Sequence, residues 1–243
     1  MSDVGTARAA AEAAARVLLR LRADGGLAGT ALGDRGDAEA QAAIAAVLGE
    51  RCPDDVVFSE EAVDDRRRLA ADRVWIVDPL DGTREYREGR SDWAVHVALW
   101  SAGELTAAAV ALPAAGAVLT TDPPPAVPPA GNGPPRIAVS RTRPPEQAAL
   151  AARAVGGELV PLGSAGYKAS AVVRGEVDAY VHAGGMYQWD SAAPVAVAQA
   201  AGLVAVRLDG SPLRYNEPDP SLPDLLVCRP QLKETILTAV GPR

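Results

Sequence analysis

Acidic residues at four places in the chain have the chemistry to hold hard cations against a phosphate ester. They are Ser59-Glu60-Glu61, the run Asp78-Pro79-Leu80-Asp81-Gly82-Thr83, Trp189-Asp190-Ser191, and the earlier Asp37. Each stands at the expected end of a strand or start of a helix. Carboxylates in such places cost free energy when buried unpaired, so they require a cation or a network of donors. Oxygen ligands gathered at one point suit Mg²⁺, which keeps some of its waters and bridges to substrate phosphate.

The Asp78–Thr83 run carries the most information. Trp75-Ile76-Val77 reads as a buried strand, and a sharp turn expected at Pro79 holds Asp78 and Asp81 on one side. Such a turn can free the Leu80 carbonyl as a third oxygen, while Gly82 and Thr83 open a helix whose first amides face an anion. Taken singly, each feature also has an ordinary reading. Asp-Pro and Asp-Gly are turn chemistry, Glu60-Glu61 fits a solvated loop, Asp190 fits an N-cap before Ser191, and Asp37 fits a plain acid at a helix start. Their joint occurrence in this order is what points to catalysis.

The elements that must position these residues follow from periodicity and turn signals. Val17, Leu18 and Leu21 recur at helical spacing in a helix over 7–22, ended by Gly25-Gly26, and Ile44, Val47 and Leu48 mark a second helix over 37–50. Strands are expected over 56–59, 73–78, 93–100, 104–112 and 116–121, forming a largely antiparallel sheet. The segment Asp122–Pro135, DPPPAVPPAGNGPP, holds too many residues without an amide hydrogen for a helix or central strand. A division into residues 1–135 and 136–243 is therefore expected there. Beyond it, strands (136–140, 158–162, 177–182, 203–208, 224–228) alternate with helices (145–155, 166–174, 191–201, 231–240), the pattern of a sheet with helices packed on it.

With 243 residues and 48% hydrophobic content, the chain can bury a sizeable core. The net charge of −7 is spread along the sequence, and no basic stripe exists to neutralise a nucleic-acid backbone, so long nucleic acid is excluded as a partner. The two cysteines, Cys52 and Cys228, lack the spacing of a metal knuckle or a disulfide scaffold. Without a signal-peptide pattern or a membrane-length apolar run, the expectation is a cytoplasmic protein with no membrane partner.

The run Trp75–Thr83 (WIVDPLDGT), the upstream Ser59-Glu60-Glu61, and Trp189–Pro194 (WDSAAP) followed by Ala201-Gly202 together resemble the inositol monophosphatase superfamily. The resemblance covers nearly the whole chain, including Gly163-Ser164 with Lys168 and the stretch Asp209–Asn216. Within that superfamily, Thr83-Arg84-Glu85-Tyr86 is most similar to the CysQ-type 3′-phosphoadenosine-5′-phosphate phosphatases. It implies an α/β (α+β) fold, the layered α-β-α-β-α sandwich of the inositol monophosphatase/fructose-1,6-bisphosphatase type. The site would lie between an N-terminal half carrying most metal ligands and a C-terminal half supplying Asp190 and substrate contacts.

Carried onto this sequence, the resemblance implies that Glu60, Asp78, the Leu80 carbonyl, Asp81 and Asp190 hold two or three Mg²⁺ ions. Glu60 would also serve catalysis, the amides of Gly82 and Thr83 would grip the phosphate, and Asp37 with the Thr83 hydroxyl would orient and deprotonate the attacking water. Arg84 and Arg141 are candidates for a second phosphate, Tyr187 or Tyr167 for the adenine, Ser164 for a substrate contact, and Lys168 for positioning Asp190 or the sugar. The implied substrate is a nucleotide bisphosphate and the implied assembly a homodimer. Alternatives are an inositol-1-phosphate or fructose-1,6-bisphosphate phosphatase, a broad-specificity enzyme, or a non-catalytic phosphometabolite sensor. One departure stands out: the family's Lys and Thr-x-x-Asp pattern is replaced by Ala31–Asp37 (ALGDRGD), which lacks the threonine. Of the other singular residues, His96 reads as a satisfied sheet histidine and His182 as a strand-end residue able to touch substrate. Trp75, Trp93 and Trp100 read as core, with Trp189 packing behind Asp190.

Overall fold

The computed structural model describes residues 2–241. In chain order the elements are α1 (Asp3–Asp24), α2 (Gly29–Arg51), β1 (Val56–Ser59), β2 (Arg73–Asp81), α3 (Thr83–Arg87), β3 (Ala94–Ser101), β4 (Glu104–Leu112) and β5 (Ala117–Thr120). Then follow β6 (Arg136–Ser140), α4 (Glu146–Val155), β7 (Glu158–Leu162), α5 (Ala165–Val173), β8 (Ala179–Tyr187), α6 (Gln188–Ala200), β9 (Val204–Val206), β10 (Ser221–Cys228) and α7 (Lys233–Val240).

Alternation of side chains along the strands sorts the core into layers. The first sheet runs β1-β2-β3-β4-β5, antiparallel except for the parallel pair β1/β2. Trp75, Val77, Val95, Val97 and Leu99 leave one face of it to pack against α1 and α2. Val74, Ile76, Ala94 and Ala98 leave the other, toward α5 and α6. The second sheet, β7-β6-β8-β10-β9, is mixed: parallel among β6, β7 and β8, antiparallel among β8, β10 and β9. Its inner face closes on α5 and α6, while Ile137, Val139 and Leu226 on its outer face pack against α4 and α7. The order is helices, sheet, helices, sheet, helices, the five-layer α/β sandwich expected. No helix among the described residues is long and apolar enough to cross a membrane.

Three local expectations are corrected. First, α2 starts at Gly29, not at residue 37. Gly33 and Gly36 look like helix breakers, yet a Cβ on Gly36 would come within 3.1 Å of Leu18 and Tyr86 and 3.2 Å of Leu80. The small residue lets α2 lie against α1 and the end of β2, and tertiary packing overrides the propensity. Second, Pro79 does not end β2 in a sharp turn. The strand runs on to Asp81, with an irregularity between Asp78 and Asp81 that skips the pairing of two residues with β3, where a proline can sit without breaking a ladder bond. Third, α6 begins at Gln188, so Asp190 is its third residue and not an N-cap; its carboxylate accepts the Tyr187 amide at 2.7 Å in a capping-box arrangement.

Candidate active site

The parity of β2 that buries Val74 and Ile76 toward α6 aims Asp78 the same way. Asp78 is 1% exposed and its Oδ1 accepts the Leu80 amide at 3.0 Å. Burial, then the charges of Asp81, Glu60 and Asp190, push its carboxyl well above the usual range. Three residues on, the strand irregularity brings Asp81 inward as well, where it accepts amides from the first turn of α5: Ala165 at 3.2 Å and Gly166 at 2.6 Å. Burial opposes ionisation of Asp81, but His96, the Ser164 hydroxyl and Lys168 hold its carboxyl below the ordinary value.

Glu60 stands just past β1, and its amide continues the β1/β2 pairing to the Val77 carbonyl at 3.3 Å. Its side chain keeps an exposed face, yet partial desolvation and the nearby charges of Asp190, Asp37, Glu61 and Asp81 raise it to about 7. Asp190 is raised to about 6, by burial first and then by Asp81. The four carboxylates Glu60, Asp78, Asp81 and Asp190 thus form one like-charge cluster drawn from the loop after β1, from β2 and from α6.

On its opposite flank, Asp37 projects from α2 toward Thr83. Burial and Glu61 raise its carboxyl to about 7, against the pull of Arg87 and the Thr83 hydroxyl. The same hydroxyl donates to the Leu80 carbonyl at 3.2 Å. Asp37 therefore lies near Thr83, whose hydroxyl hydrogen goes to the Leu80 carbonyl. Gly82, at φ +90°, starts α3, and a Cβ there would meet the Ser164 Cβ at 2.7 Å. Only glycine meets both demands, and Ser164 thereby lies against the start of α3.

Lys168 is buried (4% exposed) and donates to the carbonyls of Gly163 and Ser164, with its Nζ 5.0 Å from the Tyr180 ring centroid. Burial lowers it to about 8 despite Asp81, Glu85, Asp92 and Asp190. Arg84 is exposed and bonds the Thr142 hydroxyl at 3.2 Å. Arg141 is committed to Glu85 (3.2 Å) and Glu88 (2.6 Å), so its charge is balanced locally. Tyr187 is 49% exposed and stacks on Trp189 with centroids 4.7 Å apart, whereas Tyr167 is half-buried. His182 is held by the Tyr180 hydroxyl (3.0 Å) and the Gly185 carbonyl (2.8 Å). Trp75 and Trp93 are fully buried, while Trp100 is partly exposed.

Two residues near the site escape the sequence reading. Arg143 lines a cavity of about 230 Å³ with Ser140, His182 and the Gly184-Gly185 backbone. Arg68 is 1% exposed and clamps the loop that follows Glu60: its Nε bonds Asp64 (3.0 Å) and its Nη1 bonds Asn216 Oδ1 (3.0 Å) and the Glu217 carbonyl (2.9 Å), with the guanidinium over the Phe58 ring. Asn216 in turn donates its amide to Gln188 at the start of α6, so Arg68 ties the Glu60 loop to the Asp190 helix. Within Arg66-Arg67-Arg68, nothing in the local sequence marks one arginine as buried. Arg68→Ala is expected to lower unfolding free energy by about 2 kcal/mol, through stranded acceptors and lost packing on Phe58; urea melts of the two proteins at pH 7.5 measure it.

The donor set fits a hard cation. Glu60 and Asp190, raised to about 7 and about 6, stand among like charges, and Lys168 and His96 are groups that pull Asp81 and Asp190 the other way. Among the described residues, no three acidic, histidine or cysteine side chains close on one point as a finished cage. An ion that keeps waters and takes oxygens from substrate phosphate does not require one.

The model of the inositol monophosphatase family matches residues 2–123 and 132–241. A 3′-phosphoadenosine 5′-phosphate phosphatase of Mycobacterium tuberculosis is 51% identical over 94% of this chain and 89% of its own length. The enzyme of that name from Mycobacterium leprae is 49% identical over 99% and 94%. Among solved structures, CysQ from Bacteroides thetaiotaomicron superposes with a TM-score of 0.80 at 25% identity, covering 93% of this chain and 97% of its own.

Proposed function

The chain belongs to the inositol monophosphatase family, whose enzymes are metal-dependent phosphatases, and from that premise we propose that it hydrolyses 3′-phosphoadenosine 5′-phosphate to AMP and phosphate with Mg²⁺. The observation that carries the reading is the acid cluster of Glu60, Asp78, Asp81 and Asp190, with Asp78 and Asp81 buried, in a chain about half identical, over nearly its full length, to phosphatases of that name.

In this reading Glu60, Asp78, the Leu80 carbonyl, Asp81 and Asp190 hold two or three Mg²⁺ ions. What bound Mg²⁺ supplies is positive charge that acidifies water and neutralises the departing ester oxygen. The chain supplies orientation and proton transfer. Amides of Gly82 and Thr83 hold the phosphate at the start of α3. Thr83 Oγ1, fixed by the Leu80 carbonyl, orients water, and Asp37, raised to about 7, takes its proton near neutral pH. The first residues of α6 carry Asp190 from one half of the chain to ligands of the other. The exposed Tyr187 ring, braced by Trp189, offers a stacking face for adenine. For the second phosphate, Arg84 has no carboxylate partner among the described residues and is preferred over the engaged Arg141.

Phosphate release from 3′-phosphoadenosine 5′-phosphate, inositol-1-phosphate and fructose-1,6-bisphosphate tests the assignment. We expect kcat/KM to favour the nucleotide by at least about 100-fold, since a site built for a base and second charge rejects ligands lacking them. Comparable values on sugar phosphates would make the protein a broad phosphatase, and no Mg²⁺-dependent turnover on any would make it a sensor.

A further inference from the structure

His96 lies at the middle of β3, directly opposite Asp78 in the ladder with β2. It is completely buried and shares its face of the sheet with Ala94 and Ala98, the face that packs on α6. Its two nitrogens reach different parts of the site. Nδ1 is 3.1 Å from the Trp189 carbonyl, which can only accept, so Nδ1 carries a hydrogen and donates it there. Nε2 faces Asp81 Oδ2 at 3.3 Å and, among the described residues, has no well-directed hydrogen bond of its own.

The ring occupies space that the neighbouring helix has left for it. A Cβ on Gly166 would lie 1.8 Å from His96 Nε2, 2.5 Å from its Cε1 and 2.8 Å from Asp81 Oδ2. No side-chain adjustment accommodates such a contact, so any residue larger than glycine at 166 displaces the imidazole. The Gly166 amide itself donates to the same Asp81 oxygen at 2.6 Å. His96, Gly166 and Asp81 are therefore mutually fitted, and Trp189 joins them to the first turn of α6.

We propose that His96 is a positioning residue of the reaction: its imidazole floors the acid cluster, sets Asp81 from below, and through the Trp189 carbonyl fixes the turn that presents Asp190. Gly166 is its obligate partner. The inference rests on reading Asp81 and Asp190 as metal ligands. A group that orients a ligand from behind typically changes metal affinity about 10–100-fold when removed.

The test is Mg²⁺ binding to the substrate-free protein by isothermal titration calorimetry, alongside steady-state kinetics and thermal melts, for His96→Ala, His96→Gln, Gly166→Ala and Asp81→Asn. His96→Ala is expected to weaken Mg²⁺ binding about 10–100-fold and to lower kcat, with the nucleotide KM at saturating Mg²⁺ nearly unchanged. His96→Gln places an amide where Nε2 stood but loses the Trp189 contact, so its Mg²⁺ affinity is expected to fall between those of wild type and His96→Ala. Gly166→Ala should behave as His96→Ala does, and its loss of thermal stability should be relieved in the His96→Ala/Gly166→Ala double variant. Wild-type Mg²⁺ affinity in folded His96→Ala, or a loss in His96→Gln as large as in His96→Ala, overturns the proposal. Should Asp81→Asn also bind Mg²⁺ normally, the ligand reading fails and the proposal with it; a loss in Asp81→Asn alone removes only the role of His96.

Discussion

Asp78→Asn is expected to lose turnover by on the order of 10³-fold or more while the metal-free protein becomes more stable than wild type. The two effects share one cause. Asp78 is buried among Asp81, Glu60 and Asp190, and its charged form is opposed by burial and by all three. An isosteric amide keeps an oxygen for the Leu80 N–H and removes the repulsion. With the repulsion goes the attraction for cations, on which catalysis is proposed to depend. A relief of about 1–2 kcal/mol corresponds to a Tm higher by about 3–8 °C in EDTA at pH 8. Calorimetry and phosphate release on the same preparation measure both. An inactive variant that is also less stable than wild type would show Asp78 to be a structural acid, and retained turnover would remove it from the site.

The second large effect is the pH dependence of metal stabilisation. Glu60, Asp190 and Asp37 have folded-state values of about 7, 6 and 7, all above those of an unfolded chain. Between roughly pH 4 and 7 the metal-free native state therefore binds more protons than the unfolded state, and its stability falls as pH rises through that window. Above it, all three are ionised and the repulsion is fully present. Mg²⁺ competes with those protons, so its stabilisation grows with pH. At 100 times the dissociation constant it amounts to about 2.7 kcal/mol, or a Tm rise of about 5–10 °C at pH 8, and at pH 5.5 the same concentration gives much less. Melts at the two pH values with Mg²⁺ and with EDTA decide it; equal shifts at both would mean that the titrating carboxylates are not the ion's ligands.

Much of the arrangement was legible because the informative residues are close in sequence. An apolar strand that runs into Asp-Pro-Leu-Asp-Gly-Thr states both its own burial and the burial of its acids, and strand alternation alone sends Asp78 to the face of Val74 and Ile76. The five-layer order comes from the resemblance to the superfamily; alternation and strand–helix succession alone give a largely antiparallel sheet followed by a sheet with helices packed on it. Less was legible wherever a distant neighbour decides. Gly33 and Gly36 look like a loop until α3 at the first, and α1, α3 and β2 at the second, are seen to need the space. Pro79 looks like the end of a strand until a ladder irregularity absorbs it. Arg141 looks like a free cation until Glu85 and Glu88 take it. His96, one polar residue in an apolar strand, looks inert until its cross-strand partner and the missing side chain of residue 166 are known.

The layer between the first sheet and α6 has alanines on both sides, Ala94, Ala98 and Ala108 on the strands and Ala192, Ala193 and Ala196 on the helix, beside larger residues such as Val74, Ile76 and Val195. Such a seam brings helix and sheet close and leaves little compliance, since packed interiors transmit small displacements instead of absorbing them. Asp190 rides on one side of the seam and Asp78 and Asp81 on the other. Its thickness therefore works as a calliper on the gap between them. Mg²⁺ takes oxygens at about 2.0–2.1 Å and Ca²⁺ at about 2.3–2.6 Å, a difference smaller than one methyl group. On the proposed ligand set, discrimination between these two ions lies with alanines that touch neither.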